Sequence, residues 1–199
     1  MTLAGCGLPE LPAKATPGGT MTTAGDATLD AMATHGDTGW RDEDAEQWRV
    51  WRAYSRVQLR LSYEINRQLQ ADSDLSAADY DVLAALSGSA AGRMAISVLA
   101  NHIGWERSRV SHHVKRMAAR GLVASAQATT DRRVTEVSCT AAGLRVLHRA
   151  APGHLALVRQ LFFGGLPPEL VQPLTSALEN IYDHVLAHGS LPPPPEWPR

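Results

Sequence analysis

From Asp42 to Leu69 the chain carries neither glycine nor proline, and Trp48, Trp51, Tyr54, Leu61, Ile65 and Leu69 recur at spacings of three, four or seven. That is the stripe of one long amphipathic helix. Asp42, Glu43, Asp44 and Glu46 crowd its first turns, where the helix dipole favours negative charge. Ser76 and Asp79 have the spacing of a capping box and open a second helix through Val82, Leu83 and Leu86. Gly88 and Gly92 bracket a loop, after which Ser97 is expected to cap a short helix, Val98 to Ile103, ended by Gly104.

Beyond a Gly104-Trp105-Glu106 turn, Arg107 to Arg120 reads as a longer helix closed by Gly121. Its apolar positions Val110, Val114, Met117 and Ala118 fall on one face, and the opposite face is expected to carry Arg109, His112, His113, Lys115 and Arg116. Glu106 stands where Ser, Thr or Asp usually caps, and Glu caps poorly. Leu122–Ala126 and Val134–Ser138 read as two strands of a hairpin whose tip, Thr129 to Arg133, is basic. Thr140 caps a fifth helix from Ala141 to about Phe163, with Pro152 and Gly153 inside it. Gly164-Gly165 breaks the chain, and Pro167 is placed in the first turn of a sixth helix through Leu174, Leu178, Ile181 and Val185.

The expected fold is therefore mainly α with a small β-wing, a winged helix-turn-helix lobe joined to a helical lobe. Residues 41–188 form the folded region, with the wing and its three helices at 76–139 and the flanking helices at 41–70 and 141–188. Residues 1–40, rich in Gly, Thr, Ala and Pro with no aromatic before Trp40, are expected to be a disordered tail. Residues 189–199, with four consecutive prolines, are expected to be an extended tail.

Charge sharpens this picture. The 199 residues carry 19 Lys+Arg against 20 Asp+Glu, a net charge of -1. Residues 93–133, however, hold eight bases (Arg93, Arg107, Arg109, Lys115, Arg116, Arg120, Arg132 and Arg133) against Glu106 and Asp131, a local balance of +6. A basic segment in an otherwise acidic chain is the footprint of a polyanion partner, the bland alternative being a solvated basic face. Position decides between them. A short helix, a turn and a longer basic helix suit the major groove of double-stranded DNA, which admits one α-helix. Arg107, Ser108 and Arg109 occupy the first turn, which points deepest into such a groove. Arg132 and Arg133 at the wing tip are placed for flanking phosphates or a narrow minor groove, with Asp131 expected to hold an arginine in position. His112 and His113 are placed for phosphate or base contact, or else are solvated.

These segments resemble the MarR-type (multiple antibiotic resistance regulator) family of winged-helix transcription factors. The resemblance covers about residues 41–188 and is carried by residues 98–104, 107–111 (Arg-Ser-Arg-Val-Ser), 116–122, Asp131-Arg-Arg133 and Thr140-Ala-Ala-Gly143. It implies a bacterial, cytoplasmic regulator, a ligand-responsive repressor binding a pseudo-palindromic operator as a homodimer. The recognition helix of the family falls on Arg107, Ser108, Arg109, Ser111, His112, His113, Lys115 and Arg116, and its wing arginine on Arg132 or Arg133. The resemblance also implies an effector pocket between the first helix and the DNA-binding lobe, which Trp48, Trp51 and Tyr54 could wall, although their simpler reading is core and dimer interface. Dimerisation also follows from the chain itself, because the first and last two helices carry more apolar surface than a three-helix unit can cover. Phe162, Phe163, Leu166 and Leu170 belong to that excess.

Other chemistries leave weaker marks. No glycine-rich phosphate loop, nucleophile elbow or His-Glu metal motif is present, so an enzyme is not expected, nor a cofactor. His184 and His188 have a helical metal-pair spacing, and His148 and His154 are the nearest further donors, but no clear third ligand completes a site. Cys6 and Cys139 are too few for a disulfide framework, and neither has an activating neighbour. A metal- or redox-responsive regulator of the same fold, or a winged helix serving protein interaction, are the remaining alternatives. Apolar runs fall short of the ~18 residues that span a bilayer. Leu3-Ala4-Gly5-Cys6 matches a lipoprotein cleavage box, but the apolar stretch expected before such a box is missing.

Overall fold

The structure is a computed structural model describing residues 45–129 and 131–194; the expectations for residues 1–40 and for the end of the proline tail lie outside them. The chain divides into two units at Val50 and Trp51. Of the first unit the described part is residues 45–50, the opening turns of helix α1 (Ala45–Ser73). All that follows belongs to the second.

Within that unit α1 changes character along its length. Leu69 is fully buried and Ile65 packs against the core, whereas Trp51, Tyr54, Val57, Leu59 and Tyr63 stand exposed. The core reading of Trp51 and Tyr54 is thus corrected: the stripe reaches the core only in its last turns. Helix α2 (Ala77–Gly88) opens with the expected capping box, Asp79 N–H donating to Ser76 Oγ at 3.1 Å and Ser76 N–H to Asp79 Oδ2 at 3.0 Å.

A third strand, not expected from the sequence, follows. β1 (Arg93–Ala95) pairs antiparallel with β3 (Thr135–Cys139), which also pairs with β2 (Val123–Gln127), so the sheet order is β1-β3-β2. β2 and β3 each begin one residue later than expected. The new strand also moves the next helix start. Ala95 is held extended against Glu136, so α3 (Ile96–Ile103) begins directly after it and Ser97 lies inside the helix rather than capping it. Helix α4 (Arg107–Ala119) comes next, and its Val110, Val114 and Met117 belong to the same buried core as Leu75, Leu83, Leu86, Leu99, Leu122 and Val137.

Helix α5 (Ala141–Leu161) runs on through Pro152 and is capped as expected by Thr140, whose Oγ1 accepts from Gly143 N–H at 3.0 Å. The glycine is needed there for space. A Cβ at position 143 would run into the Leu122 carbonyl oxygen and come within 3.1 Å of Leu83 Cδ2. After α5 the chain forms 3-10 turns at Phe163–Gly165 and Pro168–Leu170 before α6 (Val171–His188). Pro167 therefore caps a short turn instead of opening the long helix, a correction that follows from the second proline beside it. Helix α6 buries none of its residues; Leu178, Ile181, Tyr182 and Val185 are exposed. Among the described residues no helix is long and apolar enough to cross a membrane.

Candidate nucleic-acid interface

The turn between α3 and α4 is set by Gly104, whose φ of 68° lies in the left-handed region that favours glycine. Trp105 N–H then reaches back to Ala100 C=O at 2.9 Å, redirecting the chain. Glu106 is extended and makes no side-chain cap bond, as its chemistry suggests. α4 starts with free amides and two arginines in its first turn, Arg107 and Arg109, an arrangement favourable to anions.

Arg107, Ser108, Arg109, His112, Lys115 and Arg116 are all exposed on α4. Ser111 is half-buried and donates its hydroxyl to Arg107 C=O at 3.0 Å, so its oxygen serves the helix itself. His113 does not join the exposed face. Only 7% exposed, it lies on the stripe of Val110, Val114 and Met117, and the expectation that it is either solvated or a DNA contact is corrected. Its Nε2 stands 3.0 Å from Asp79 Oδ1, and Arg116 Nη2 donates to its Nδ1 at 2.9 Å. A guanidinium can only donate, so Nδ1 is the acceptor and the ring is neutral with its proton on Nε2. Burial, together with Arg116 and Arg109, pushes the His113 pKa down, and the nearby Asp79 only partly opposes this.

Asp79 is a junction. It is 3% exposed, yet its carboxylate is held below the usual range. Burial works against the charge, but the Ser76 amide and the Arg120 guanidinium, which donates to Oδ2 at 2.8 Å, outweigh it. Arg120 also donates to the Asp74 carbonyl. One of the eight bases of the segment is thereby committed to structure, and Arg93 faces Glu136 at 3.5 Å. Trp105, half-buried, meets the His113 ring in a T-shaped pair with centroids 5.4 Å apart, and the Arg109 guanidinium carbon lies over its ring, 3.9 Å from the centroid.

At the wing, Arg132 and Arg133 are exposed. Among the described residues Asp131 pairs with no guanidinium. Its Oδ1 accepts from the Arg133 amide at 2.9 Å, and its carbonyl from Val134 N–H at 2.9 Å, so it shapes the turn backbone. Trp51 and Tyr54 are 56% and 47% exposed, with ring centroids 5.7 Å apart. The His184 and His188 rings stack at 4.1 Å, and among the described residues no three His, Cys, Asp or Glu side chains converge as a metal site. Burial pushes the Cys139 thiol up to about 11, and it points at the Leu83 carbonyl from 3.7 Å, the setting of an inert thiol. Trp105, Asp79 and Arg120 escaped the sequence reading as site residues. The one available signal was an aromatic residue in the turn before a basic helix.

Two helices joined by a glycine turn, the second basic, with a three-stranded sheet ending in an arginine-bearing hairpin, define a winged helix-turn-helix protein. A model of the MarR family matches residues 73–134. The structure is similar to Sco3205 of Streptomyces coelicolor, a MarR family transcriptional regulator solved in complex with DNA, at 32% identity over 77% of this chain and 96% of that one (TM-score 0.71). It is similar also to AbsC, a MarR family regulator of the same organism, at 34% identity over 75% and 99% (TM-score 0.69). BpsR of Bordetella bronchiseptica, whose DNA binding is regulated by 6-hydroxynicotinic acid, aligns at 26% identity over 68% and 99% (TM-score 0.60). No curated protein sequence matches the chain. The chain belongs to the MarR family of transcriptional regulators.

Proposed function

We propose that the protein is a sequence-specific DNA-binding transcriptional regulator, a homodimer on a pseudo-palindromic operator and a repressor released by a small molecule. The observation that carries the reading is the exposed series Arg107, Ser108, Arg109, His112, Lys115 and Arg116 along one helix, with Arg132 and Arg133 on the wing of the same lobe. Helix residues read base edges, and the wing arginines contact backbone or minor groove. The exposed apolar residues of α1 and α6 supply the dimer interface, which would set half-sites roughly 10 bp apart. The DNA complex of Sco3205 supports the first part and the ligand control of BpsR the last. Trp51 and Tyr54 are offered as the effector wall or as dimer packing, and binding of a ligand in the dimer separates the two.

The test is fluorescence anisotropy with DNA from immediately upstream of its own gene against a shuffled duplex, across a salt series. Tight selective binding with a steep salt slope is expected. Weak binding indifferent to sequence, also with duplexes selected from a random pool, overturns the reading.

A further inference from the structure

Arginine is a flexible reader, and fixing it at the moment of contact costs conformational entropy. Arg109 is exposed on α4, yet its guanidinium carbon already stands over the Trp105 ring, 3.9 Å from the centroid. A guanidinium held over an aromatic ring is attracted by the ring's π cloud and not through a hydrogen bond to another side chain, which leaves N–H donors for a bidentate bond to guanine O6 and N7. Arg120 shows the contrast: its donors are consumed by Asp79 and by the Asp74 carbonyl. Trp105 is itself fixed. The buried His113 ring meets it edge-on, with an interplanar angle of 84°. His113 is in turn held by Arg116, which donates to its Nδ1 at 2.9 Å, and its Nε2 faces the Asp79 carboxylate at 3.0 Å, a group locked in the capping box that starts α2.

We infer that Asp79, His113 and Trp105 are positioning residues that preset Arg109 for base reading, so that part of the operator preference is built into the fold below the DNA surface. The inference rests on the DNA-reading function proposed above. It assigns no DNA contact to the three residues; each acts through the next, and only Arg109 touches a base.

A double-mutant cycle tests it, with the full chain and the duplex that the wild type selects from a randomised pool. Trp105→Leu removes the platform and no charge. It is expected to weaken operator binding about two- to tenfold, the range set by immobilising one flexible side chain. The salt slope should stay unchanged. Trp105→Phe, which keeps a π face, should restore most of the loss. In an Arg109→Ala background Trp105→Leu should cost nothing further, because its route to DNA is gone. Losses that multiply instead would show Trp105 acting elsewhere and overturn the relay, as would a Trp105→Phe no better than Trp105→Leu. Should Trp105→Leu fail to fold by thermal unfolding, His113→Gln in the same cycle decides: it leaves Trp105 in place and removes the ring that meets it, while the amide keeps a donor for Asp79 and an acceptor for Arg116. If the wild type selects no duplex, the DNA-reading function itself fails; if it does and the cycle is additive, only the relay fails.

Discussion

The winged lobe and the terminal helices treat apolar residues in opposite ways. Between α2 and β3 the large aliphatic side chains are sealed, Val82, Leu83, Leu86, Leu99, Val110 and Val137 at 0% exposure. Over the exposed stretch of α1 and along α6 the same residue types face outward, Ile181 at 58% and Tyr63 at 61%. Polar chemistry follows the same division. The winged lobe buries a carboxylate and a histidine, the carboxylate paired with an exposed arginine, whereas α6 ends in two exposed histidines. One region closes on contacts within the chain; the other leaves its apolar residues uncovered. Exposed apolar residues of this kind would form the interface between copies in the function proposed above.

The strongest way to break that comparison is in the core. Leu99→Ala should destabilise the chain by about 2–5 kcal/mol at any protein concentration, read by urea unfolding. Ile181→Glu should behave otherwise. It places an unpaired charge in the proposed interface, weakening self-association by about 3 kcal/mol, over a hundredfold in Kd by analytical ultracentrifugation. A monomeric wild type would end the distinction. Arg109→Ala should spare both regions and lower operator preference by about 1–3 kcal/mol, while Arg133→Ala should weaken binding to all sequences and flatten the salt slope by about one phosphate. Equal losses on operator and random DNA for Arg109→Ala would place Arg109 on the backbone.

The mildest effect is one of pH. Burial lowers the pKa of His113, and of His102 and His154, below the ordinary value of 6.5. For His113 the facing groups are Asp79, which favours the charged form, and Arg116 and Arg109, which oppose it. The unfolded chain therefore takes up protons first on acidification. Stability present above pH 6.5 is lost progressively as pH falls through that value toward the depressed folded ones. His113→Gln should make the fall shallower in thermal unfolding between pH 7 and pH 5.

The sequence made the local devices legible. The Ser76–Asp79 box, the glycine at position 104, Thr140 and the hairpin each depend on residues within a few positions of one another. What it concealed depends on distant partners. β1 has three residues and no alternating run, and it becomes a strand only because Met94 meets Val137. His113 carried a conflict: its position, three after Val110 and four before Met117, belongs to the buried stripe, while its residue type suggested the wet face. The resolving group, Asp79, lies on another helix. The Trp105 platform was hidden for the same reason, since stacking needs a turn geometry that spacing does not encode.

The unexpected strand has a kinetic consequence. With β1 on one side and β2 on the other, β3 is the central strand of its sheet. Amide hydrogens in a doubly flanked strand exchange with solvent only when the sheet opens, while those at a hairpin end exchange through small local fraying. Deuterium should therefore enter around Arg132 and Arg133 long before it reaches Val137, a difference that would let the arginine tip adapt to DNA in the proposed function while Val137 keeps its place in the core.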